Sequence, residues 1–509
     1  MQNRYVGLGE KGRPIFLFEP DGKTRFRQVL WGDFLTVDGR VDGGWLKVLW
    51  APNDPVKRKE LLIRESETTP TRPLEIVFVD VGQGDGAVVI TPERDLSERI
   101  VVIDAGEGPN MGSFLDGRFG SYQTGFDFHA AIITHPDSDH YHGFRPIFGD
   151  HRIGFQTVYH SGLVERPVTG TFEKLGGLGP KDPTTKLQFL TDLAEDDAHI
   201  RAAFGDAARN GNAQFPRTMQ AAIENPRIRR FSMLSAEHGT TVGATTYLPD
   251  FEPSTDRAYT IEVLGPVVER DAAGAKGLRR LGSYGETKNG HSVLLKLTIG
   301  QFRIIFGGDL NERAERFLLS HYAGIGDAGG FPTRDSQAYR DMVTDASRTF
   351  RADVLKVCHH GSEKVTDAFI EAVNPAAFII SSGDAEGHVH PRPDLLGRLG
   401  KLGRGVAPVL LSTELQRSTR EVEDQATVTR LKREVERLAA GPTLERRDAI
   451  MQSIEELART NVDVWGSIYV KTDGQRLITA FKIESGSPLE KWFYFEYAFD
   501  PVGQLALVG

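Results

Sequence analysis

Short apolar runs, each bounded by glycine or polar residues, recur along the middle of the chain. Runs of this kind are typical of strands buried on both faces. Amphipathic helical segments such as NERAERFLL separate the later runs, and this alternation predicts an α/β domain. The runs begin at Leu74 (LEIVFVDV), Arg99 (RIVVIDAG), His129 (HAAIIT), Thr260 (TIEVLGPV), Ser292 (SVLLKLTIG), Phe302 (FRIIFGGDL), Asp353 (DVLKVCHHGS) and Ala376 (AAFIISSG).

Residues 1–70 show a different pattern. Short β-type runs alternate there with turn signals, as in FLTVDGRVDGGWLKVLW, where Asp38-Gly39 and Gly43-Gly44 are typical of tight turns. We expect a small all-β domain similar to an SH3-like barrel. The segment RESETTPTRP, residues 64–73, is polar and contains proline, so it is predicted to be a linker.

Two further segments extend the α/β domain, which we place at residues 74–410. Residues 168–280 have weak periodicity and are predicted to form a partly helical insertion over the site. Residues 411–509 are predicted to form a carboxyl-terminal extension of one helix and one β-hairpin. Apolar residues spaced by three and four indicate the helix, which stops at Gly441-Pro442, and Asp473-Gly474 indicates the hairpin turn.

Composition narrows the function classes. The 509 residues are 39% hydrophobic and 26% charged, and no run approaches the ~20 apolar residues that a membrane helix needs. The first residues lack the apolar stretch of a secretory signal, so we expect a cytoplasmic protein with no membrane partner. A net charge of −9 means that any nucleic-acid binding must be local. The single cysteine, Cys358, excludes an internal disulfide.

The motif HPDSDH carries the densest chemistry in the chain. Four potential ligands fall within six residues, in a loop that follows an apolar strand: His135, Asp137, Asp139 and His140. Imidazole and carboxylate together suit zinc, manganese or iron, and a close-set group can serve two ions. The alternative is a solvated polar loop whose aspartates cap a helix. So many ligands together favour a metal site.

The motif resembles the His-x-His-x-Asp-His pattern of the metallo-β-lactamase superfamily, with Asp137 at the place of the second histidine. An aspartate there is familiar in the hydrolase domain of ComEC-type competence proteins. Four further segments resemble that branch, in the expected order: VDVGQGDGAVVI from Val79, FGGDL with Asp309, LKVCHHGS from Leu355, and His390-Pro391. The resemblance covers residues 74 to 410, with the hairpin after Ser467, and implies an αββα metallo-β-lactamase sandwich.

The resemblance also implies a set of metal ligands. One divalent ion would be held by His135, Asp137 and a further histidine, and Asp309 would bridge it to a second ion. The second would be held by Asp139, His140 and one histidine of the pair His359-His360, which the sequence does not distinguish. For the further histidine, His291 at the start of a core strand is preferred to His160, which could instead cap a strand or touch substrate.

Residues around the ligands have several candidate roles. Asp85 and Asp104, in turns after strands, are candidates for orienting the histidines, although such aspartates also satisfy turn amides; Asp80 is a similar case. Lys356 and Ser362 are candidates for contacting a phosphate, and His390 is a further candidate for contacting substrate or ligands. In a two-metal mechanism we expect Asp139 to hold the attacking water and accept its proton, and either the second metal or a residue such as Lys356 to steady the developing oxyanion. Cys358 is explained as a small buried hydrophobe.

The expected function is metal-dependent hydrolysis with two divalent ions, zinc or manganese. The resemblance favours a phosphodiesterase, a nuclease acting on DNA, and Arg217, Arg227, Arg229 and Arg230 near Phe215 and Phe231 are a candidate nucleic-acid contact. The alternatives are a small-molecule hydrolase acting on a phosphoester, cyclic nucleotide or lactone, and a non-catalytic binding protein with a vestigial metal site. The amino-terminal domain is a candidate site for a protein partner. The sequence leaves the oligomeric state open.

Overall fold

The computed structural model describes residues 3–94, 97–120, 127–271, 273–326, 330–383, 390–405, 408–415, 425–459, 464–483 and 487–508. Within these residues the chain is mixed α/β, with fourteen α-helices and several sheets. The α/β class that the sequence predicts is therefore confirmed.

The amino-terminal domain is an antiparallel sheet of seven strands. Its order is β3-β2-β6-β5-β4-β1-β7. The inward side chains, among them Leu17, Leu46 and Ile63, form a core of their own. Asp38-Gly39 lies at an irregularity within β4 rather than in a turn, and the turn falls at residues 42–44. The strands are β1 (Asn3–Val6), β2 (Ile15–Phe18), β3 (Arg25–Val29), β4 (Phe34–Val41), β5 (Trp45–Trp50), β6 (Lys59–Arg64) and β7 (Thr68–Thr69).

The first large sheet has ten strands in the order β14-β12-β11-β10-β9-β8-β27-β28-β29-β30. Strands β10, β11, β12 and β14 run parallel, and the remaining neighbours are antiparallel. The strands are β8 (Leu74–Phe78), β9 (Gly86–Ile90), β10 (Ile100–Ala105), β11 (Asp127–Ile133), β12 (Gly154–His160), β14 (Ile228–Met233), β27 (Ile468–Thr472), β28 (Arg476–Lys482), β29 (Trp492–Phe499) and β30 (Leu505–Leu507).

The second large sheet has eight strands in the order β15-β16-β17-β20-β21-β22-β23-β24. Its second half, from β21 to β24, is parallel. The strands are β15 (Thr240–Val242), β16 (Thr245–Tyr247), β17 (Tyr259–Gly265), β20 (Leu294–Ile299), β21 (Phe302–Phe306), β22 (Val354–Lys356), β23 (Ala377–Ile380) and β24 (Val409–Ser412). Two small sheets consist of β13 (Phe189–Leu190), β18 (Glu269–Arg270) and β19 (Lys276–Arg279), and of β25 (Glu414–Leu415) and β26 (Val464–Trp465).

Helices lie in the connections between the strands. They are α1 (Asn110–Phe119), α2 (Ser138–Tyr141), α3 (Phe144–Gly149), α4 (Thr171–Leu175), α5 (Asp197–Phe204), α6 (Ala207–Asn210), α7 (Gln214–Glu224), α8 (Tyr284–Gly290), α9 (Glu312–Tyr322), α10 (Gln337–Phe350), α11 (Asp367–Val373), α12 (Pro393–Leu402), α13 (Gln425–Ala440) and α14 (Leu444–Arg459). None of the helices in the described residues is both long and apolar enough to cross a membrane.

Three apolar clusters hold the two large sheets and the helices together as layers. Successive side chains of a strand point to opposite faces, so each large sheet has two apolar faces. Ile76 and Leu295 belong to a cluster that joins the two large sheets face to face. Val77, on the other face of β8, belongs to a second cluster with α1, α3, α5 and α7. Ile305 belongs to a third with α9 to α12. Helices therefore cover the outer faces of two packed sheets.

Parts of the predicted insertion and extension belong to these sheets. Within residues 168–280, β14 pairs with β12 in the first sheet and β17 pairs with β20 in the second. The hairpin at Asp473-Gly474 forms as β27 and β28, and β27 pairs with β8. The carboxyl-terminal strands therefore complete the first sheet, while the expected helix is α13 and is followed by α14.

Candidate metal centre

The candidate site lies at the carboxyl ends of parallel strands in both large sheets. Because parallel strands end at one edge, the residues that follow β10 and β11 become neighbours, as do those that follow β21 and β22. Asp104, at the end of β10, and His135, just after β11, come from the first pair. Asp309 and His360 come from the second.

Backbone geometry at these strand ends is unusual. His359 and His360 have φ of 50° and 52°, a left-handed conformation that costs free energy for residues other than glycine and that clusters at functional sites. Gly308, before Asp309, has φ of 51°, and a Cβ there would lie 2.6 Å from the Cβ of Ser292. This position therefore requires glycine, and the GGD motif brings the Asp309 backbone N–H to the Ser292 hydroxyl, just before β20.

Two carboxylates and three imidazoles converge in a buried cluster, which we call the metal cluster: His135, Asp139, His140, Asp309 and His360. The Asp309 carboxylate spans two rings, with Oδ1 3.3 Å from His140 Nε2 and Oδ2 3.2 Å from His360 Nε2. Asp139 spans the same two rings at 3.9 and 3.3 Å. The rings of His135 and His140 are 4.1 Å apart. Each carboxylate thus has one oxygen facing each of two imidazoles.

The outer nitrogens of His140 and His360 contact hydrogen-bond acceptors. His140 Nδ1 lies 2.8 Å from Asp104 Oδ2, and His360 Nδ1 lies 3.0 Å from the Ser381 carbonyl. An imidazole nitrogen facing a carboxylate or carbonyl oxygen must carry the proton. Each Nε2, on the cluster side, is then a lone pair whenever the ring is neutral.

His135 reaches the same tautomer through two hydroxyls. Its Nδ1 lies 3.2 Å from the hydroxyl oxygens of both Thr134 and Ser292. Thr134 donates its own proton to Asp104, and Ser292 donates to the Asn289 carbonyl. Both hydroxyl oxygens can therefore only accept from His135 Nδ1, which leaves Nε2 as a lone pair.

Several cluster atoms are buried without a hydrogen-bond partner among the described residues. They are the Nε2 atoms of His135, His140 and His360 and Oδ1 of Asp309. A buried polar atom without a partner costs ~1–3 kcal/mol, and such atoms rarely gather without a ligand to satisfy them. A divalent cation bound by imidazole and carboxylate fits this donor set. The buried histidine and aspartate side chains can thus hold a metal ion.

The electrostatics of the metal cluster attract positive charge. Burial disfavours charged His140 and His360, but Asp309 and the other nearby carboxylates outweigh it and hold both pKa values well above the usual 6.5. Burial, with the nearby His140, holds the pKa of His135 well below 6.5, so this ring is neutral. Burial also opposes charged Asp309, yet the three nearby histidines keep its pKa well below 3.8.

Asp85 and Lys356 form a buried ion pair beside the metal cluster. The Lys356 ammonium contacts the Asp85 carboxylate and lies 3.3 Å from the Gly308 carbonyl. Burial opposes both charges, but each partner offsets it, so the pKa of Asp85 is lowered and that of Lys356 is raised. Asp85 also lies 3.1 Å from His360 Nδ1. The geometry places Lys356 on Asp85 rather than toward a substrate.

Two expected ligands lie outside the metal cluster. Asp137 accepts from Ser138 N as the cap of α2 and pairs with Lys288 at 3.1 Å, so its carboxylate is used by the loop. His291 Nε2 lies 2.6 Å from the Arg279 carbonyl and is held by the backbone. The sequence did not reveal these partners, because Lys288 and Arg279 carry no motif of their own.

The remaining histidines also lie apart. His360 enters the metal cluster and His359 does not; the His359 ring is 6.0 Å from that of His390. His160 is buried at the end of β12 and accepts from Gly162 N. Burial lowers the His160 pKa to about 3 and that of His390 to about 4. His160 is not grouped with the ligand atoms.

Other expected polar contacts serve the fold. Ser362 Oγ accepts from Lys364 N at 3.3 Å. Asp80 accepts from Gly82 N and Gly466 N and so ties the carboxyl-terminal strands to the turn after β8. Sequence reasoning missed two hydroxyls that contact the His135 ring, those of Thr134 and Ser292. It also missed Asp85 as a possible metal ligand. Common residue types in short turns carry no sequence signal for such roles.

The arginine group of the expected nucleic-acid contact lies elsewhere. Arg227 and Arg229 both pair with Asp127, at the start of β11 and hence at the end of the strand opposite His135. Phe215 and Phe231 are buried in the core. Arg227 and Arg229 are therefore remote from the metal cluster and share one carboxylate between them.

Comparison with known proteins gives no family. No family model matches the chain, and no curated protein matches it. One solved structure with some likeness is a protein of unknown function from Enterococcus faecalis V583, with 11% identity over 72% of this chain and 86% of that chain and a TM-score of 0.20. A likeness this weak supports no conclusion about fold or function.

Proposed function

We propose that this chain is a metal-dependent hydrolase of the metallo-β-lactamase type, a phosphodiesterase that cleaves DNA with two divalent ions, zinc or manganese. The observation that carries the proposal is the set of three buried imidazoles whose Nε2 atoms converge on a carboxylate that spans two of them. The two packed sheets with outer helices, and the motifs from Val79 to His390, support the αββα assignment.

The ligands divide into two overlapping groups. His135, His140 and Asp309 would hold one ion. His360 would hold the other with Asp139 and Asp309, whose oxygens lie 3.3 and 3.2 Å from its Nε2. Asp85 is grouped with His360 and Asp309 as a further candidate. When bound, such a pair supplies hydroxide at neutral pH and neutralises charge on the attacked phosphate.

The chain's own residues orient the reactants. The Asp139 side chain is 16% exposed and is more open to solvent than that of Asp309. Burial opposes its charge, but the nearby His140 and His360 keep its pKa far below 3.8. As a carboxylate it accepts a hydrogen bond from the attacking water and fixes its direction. Asp104 and the Ser381 carbonyl hold the rings of His140 and His360 in the ligating tautomer. Lys356 acts through Asp85 as a positioning residue.

Metal analysis combined with a cleavage assay tests this function. The parent chain is expected to copurify with, or take up, zinc or manganese and to hydrolyse bis(p-nitrophenyl) phosphate and single-stranded DNA. His360→Ala is expected to lose metal and to lower kcat by at least about 100-fold, since it removes a ligand. His359→Ala is the matched control, because this neighbouring histidine lies outside the metal cluster, and it should retain metal.

Two results would overturn the proposal. One is a parent chain that binds no metal above background. The other is a His360→Ala variant that cleaves both substrates as fast as the parent. A panel of lactones and cyclic nucleotides run beside the diester separates a nuclease from a small-molecule hydrolase of the same site.

A further inference from the structure

A basic cleft lies beside the metal cluster. Its volume is about 980 Å³, and its walls come from residues 181–188, 279–286 and 311–317, with Lys364. Seven of the lining residues are lysine or arginine and two are glutamate. The chain as a whole has a net charge of −9, so the cleft is a local region of positive charge on an acidic protein.

Most of the cleft's positive charge is available to a ligand. Lys181, Lys186, Arg280 and Lys364 are exposed and form no ion pair with any described residue. Arg313 and Arg316 pair with Glu286 and Glu312, but their side chains are 61% and 49% exposed, and exposed pairs of this kind exchange partners at little cost.

Three chain segments join the cleft to the metal cluster. Asn311, in the cleft wall, is two residues after Asp309, which places their Cα atoms within ~8 Å. Lys364 is four residues after His360. Arg279 contributes the carbonyl that holds His291, next to the Ser292 hydroxyl that fixes His135. A ligand in the cleft is therefore a direct neighbour of the ligand-bearing loops.

The size and charge of the cleft favour one chemistry. The seventh cation, Arg279, is largely buried and pairs with Glu269, which leaves six exposed cations along the cleft. A single phosphate needs two or three cations, so six match a chain of phosphates. A cavity of this volume is about 10 Å on a side, too narrow for a whole duplex, whose major groove alone is ~12 Å wide. The half-buried ring of Phe317 lies at the wall with the Arg279 guanidinium 4.7 Å from its centroid, so an aromatic side chain stands within the basic lining.

We propose that this cleft binds the sugar-phosphate backbone of single-stranded nucleic acid and leads the strand to the metal cluster. This inference rests on the proposed function, because the cleft has a role in catalysis only if the metal cluster cleaves phosphodiesters. Binding by itself does not require a metal ion, so it can be measured separately.

Fluorescence anisotropy with a labelled single-stranded oligonucleotide, in EDTA and over a salt series, tests the cleft. The test variant replaces Lys181, Lys186 and Lys364 with alanine in the full chain. The matched control replaces Lys401, Lys432 and Lys482, which are exposed elsewhere and carry the same total charge. The test variant is expected to weaken binding and to reduce the slope of log K against log salt by about 2, since each phosphate contact contributes ~0.7 for a single strand. The control should keep the parent's slope.

Hydrolysis of bis(p-nitrophenyl) phosphate separates the two proposals. This small diester has no neighbouring phosphates, so the test variant should cleave it at the parent's rate while losing activity on the oligonucleotide. Unchanged binding in the test variant, an equal loss in the control, or an equal loss on the small diester would each overturn the cleft proposal. A parent that binds the strand through the cleft but cleaves neither substrate leaves the cleft standing and rejects the hydrolase function.

Discussion

At the scale of single residues, the metal cluster depends on hydrogen bonds made on the far side of each ring. His135, His140 and His360 present Nε2 inward because hydroxyls, a carboxylate and a carbonyl hold Nδ1 outside. Asp104 serves two rings in this way, directly for His140 and through the Thr134 hydroxyl for His135. Removing its charge therefore disturbs both ligands.

Asp104→Asn is expected to lower metal affinity roughly 10- to 100-fold, because the amide no longer fixes the His140 tautomer. Competition with a chelating dye measures the change. Asp137→Asn is the matched control: this carboxylate pairs with Lys288 and lies outside the metal cluster, so affinity should stay at the parent's value. An equal loss of metal affinity in the two variants would show that Asp137 contributes to metal binding and would contradict the prediction.

Glu315 predicts a pH dependence of stability. Its carboxyl is fully buried on α9 and accepts from Thr366 N, and burial raises its pKa to about 8 from 4.5. As the pH rises above 4.5 the unfolded chain ionises while the folded chain does not. The stability contributed by the neutral carboxyl is present below pH 4.5 and is lost as the pH rises through 8, by on the order of 5 kcal/mol.

Glu315→Gln removes this titration, so the melting temperature of the variant should rise relative to the parent between pH 5 and pH 8. Calorimetry at several pH values measures the difference. The exposed Glu312→Gln on the same helix should track the parent at every pH. A constant offset between Glu315→Gln and the parent would contradict the raised pKa.

Much of the site could be predicted from residue types and order, but not the choice among neighbours. The HPDSDH motif, Asp309 and the histidine pair all supply members of the metal cluster. His359 and His360 could not be separated, because the left-handed turn that aims only His360 inward leaves no mark in the sequence. Asp137 was grouped with the ligands because its partner, Lys288, is distant in sequence.

At the scale of elements, the carboxyl-terminal hairpin is part of the first large sheet. Strand β27 pairs with β8 along five residues, and its Ile468 and Val470 lie in the cluster between the large sheets. The hairpin turn was predicted from Asp473-Gly474, but its place beside β8 was not, since pairing over almost 400 residues depends on the whole fold. Strand β14, IRRFSM, was missed because its arginines hide the apolar alternation.

A chain that ends before β27 is expected to be insoluble or partly unfolded. It loses four side chains of the cluster between the large sheets, Ile468, Val470, Leu477 and Tyr497, each worth about 2 kcal/mol or more, and exposes the edge of β8. Size-exclusion chromatography and circular dichroism measure the outcome. A chain that ends at Gly503 and lacks only β30, whose residues 506 and 507 are exposed, should remain monodisperse. Equal behaviour of the two truncations would show that β27 is dispensable.

At the scale of the whole molecule, the amino-terminal domain packs against the strands that close the first sheet. Lys471 donates to the Trp31 carbonyl, and Leu30 and Trp31 share an apolar cluster with Ile478 and Ala480. The sequence predicts the two domains as separate patterns. Their contact lies between residues more than 400 apart and has no local signal.

Gln28→Ala should loosen this contact. The Gln28 amide is buried and makes three hydrogen bonds, accepting from Lys491 N and Trp492 N and donating to the Trp492 carbonyl. Its loss leaves these groups without partners, at ~1–3 kcal/mol each where they stay buried. Faster hydrogen exchange in β1–β7 and β29 is expected, while the exposed Gln475→Ala should exchange like the parent. Unchanged exchange in Gln28→Ala would mean that apolar packing alone holds the domains.

The first large sheet supplies residues of the metal cluster that lie early in the chain, and the second supplies residues that lie late. His135, Asp139 and His140 are synthesised well before Asp309 and His360, and the strand that closes the first sheet comes last of all. A growing chain on the ribosome thus has no complete binding site until most of its length has emerged and both sheets have docked. An ion bound by the metal cluster would therefore report that assembly is finished, and it would resist separation of the two sheets.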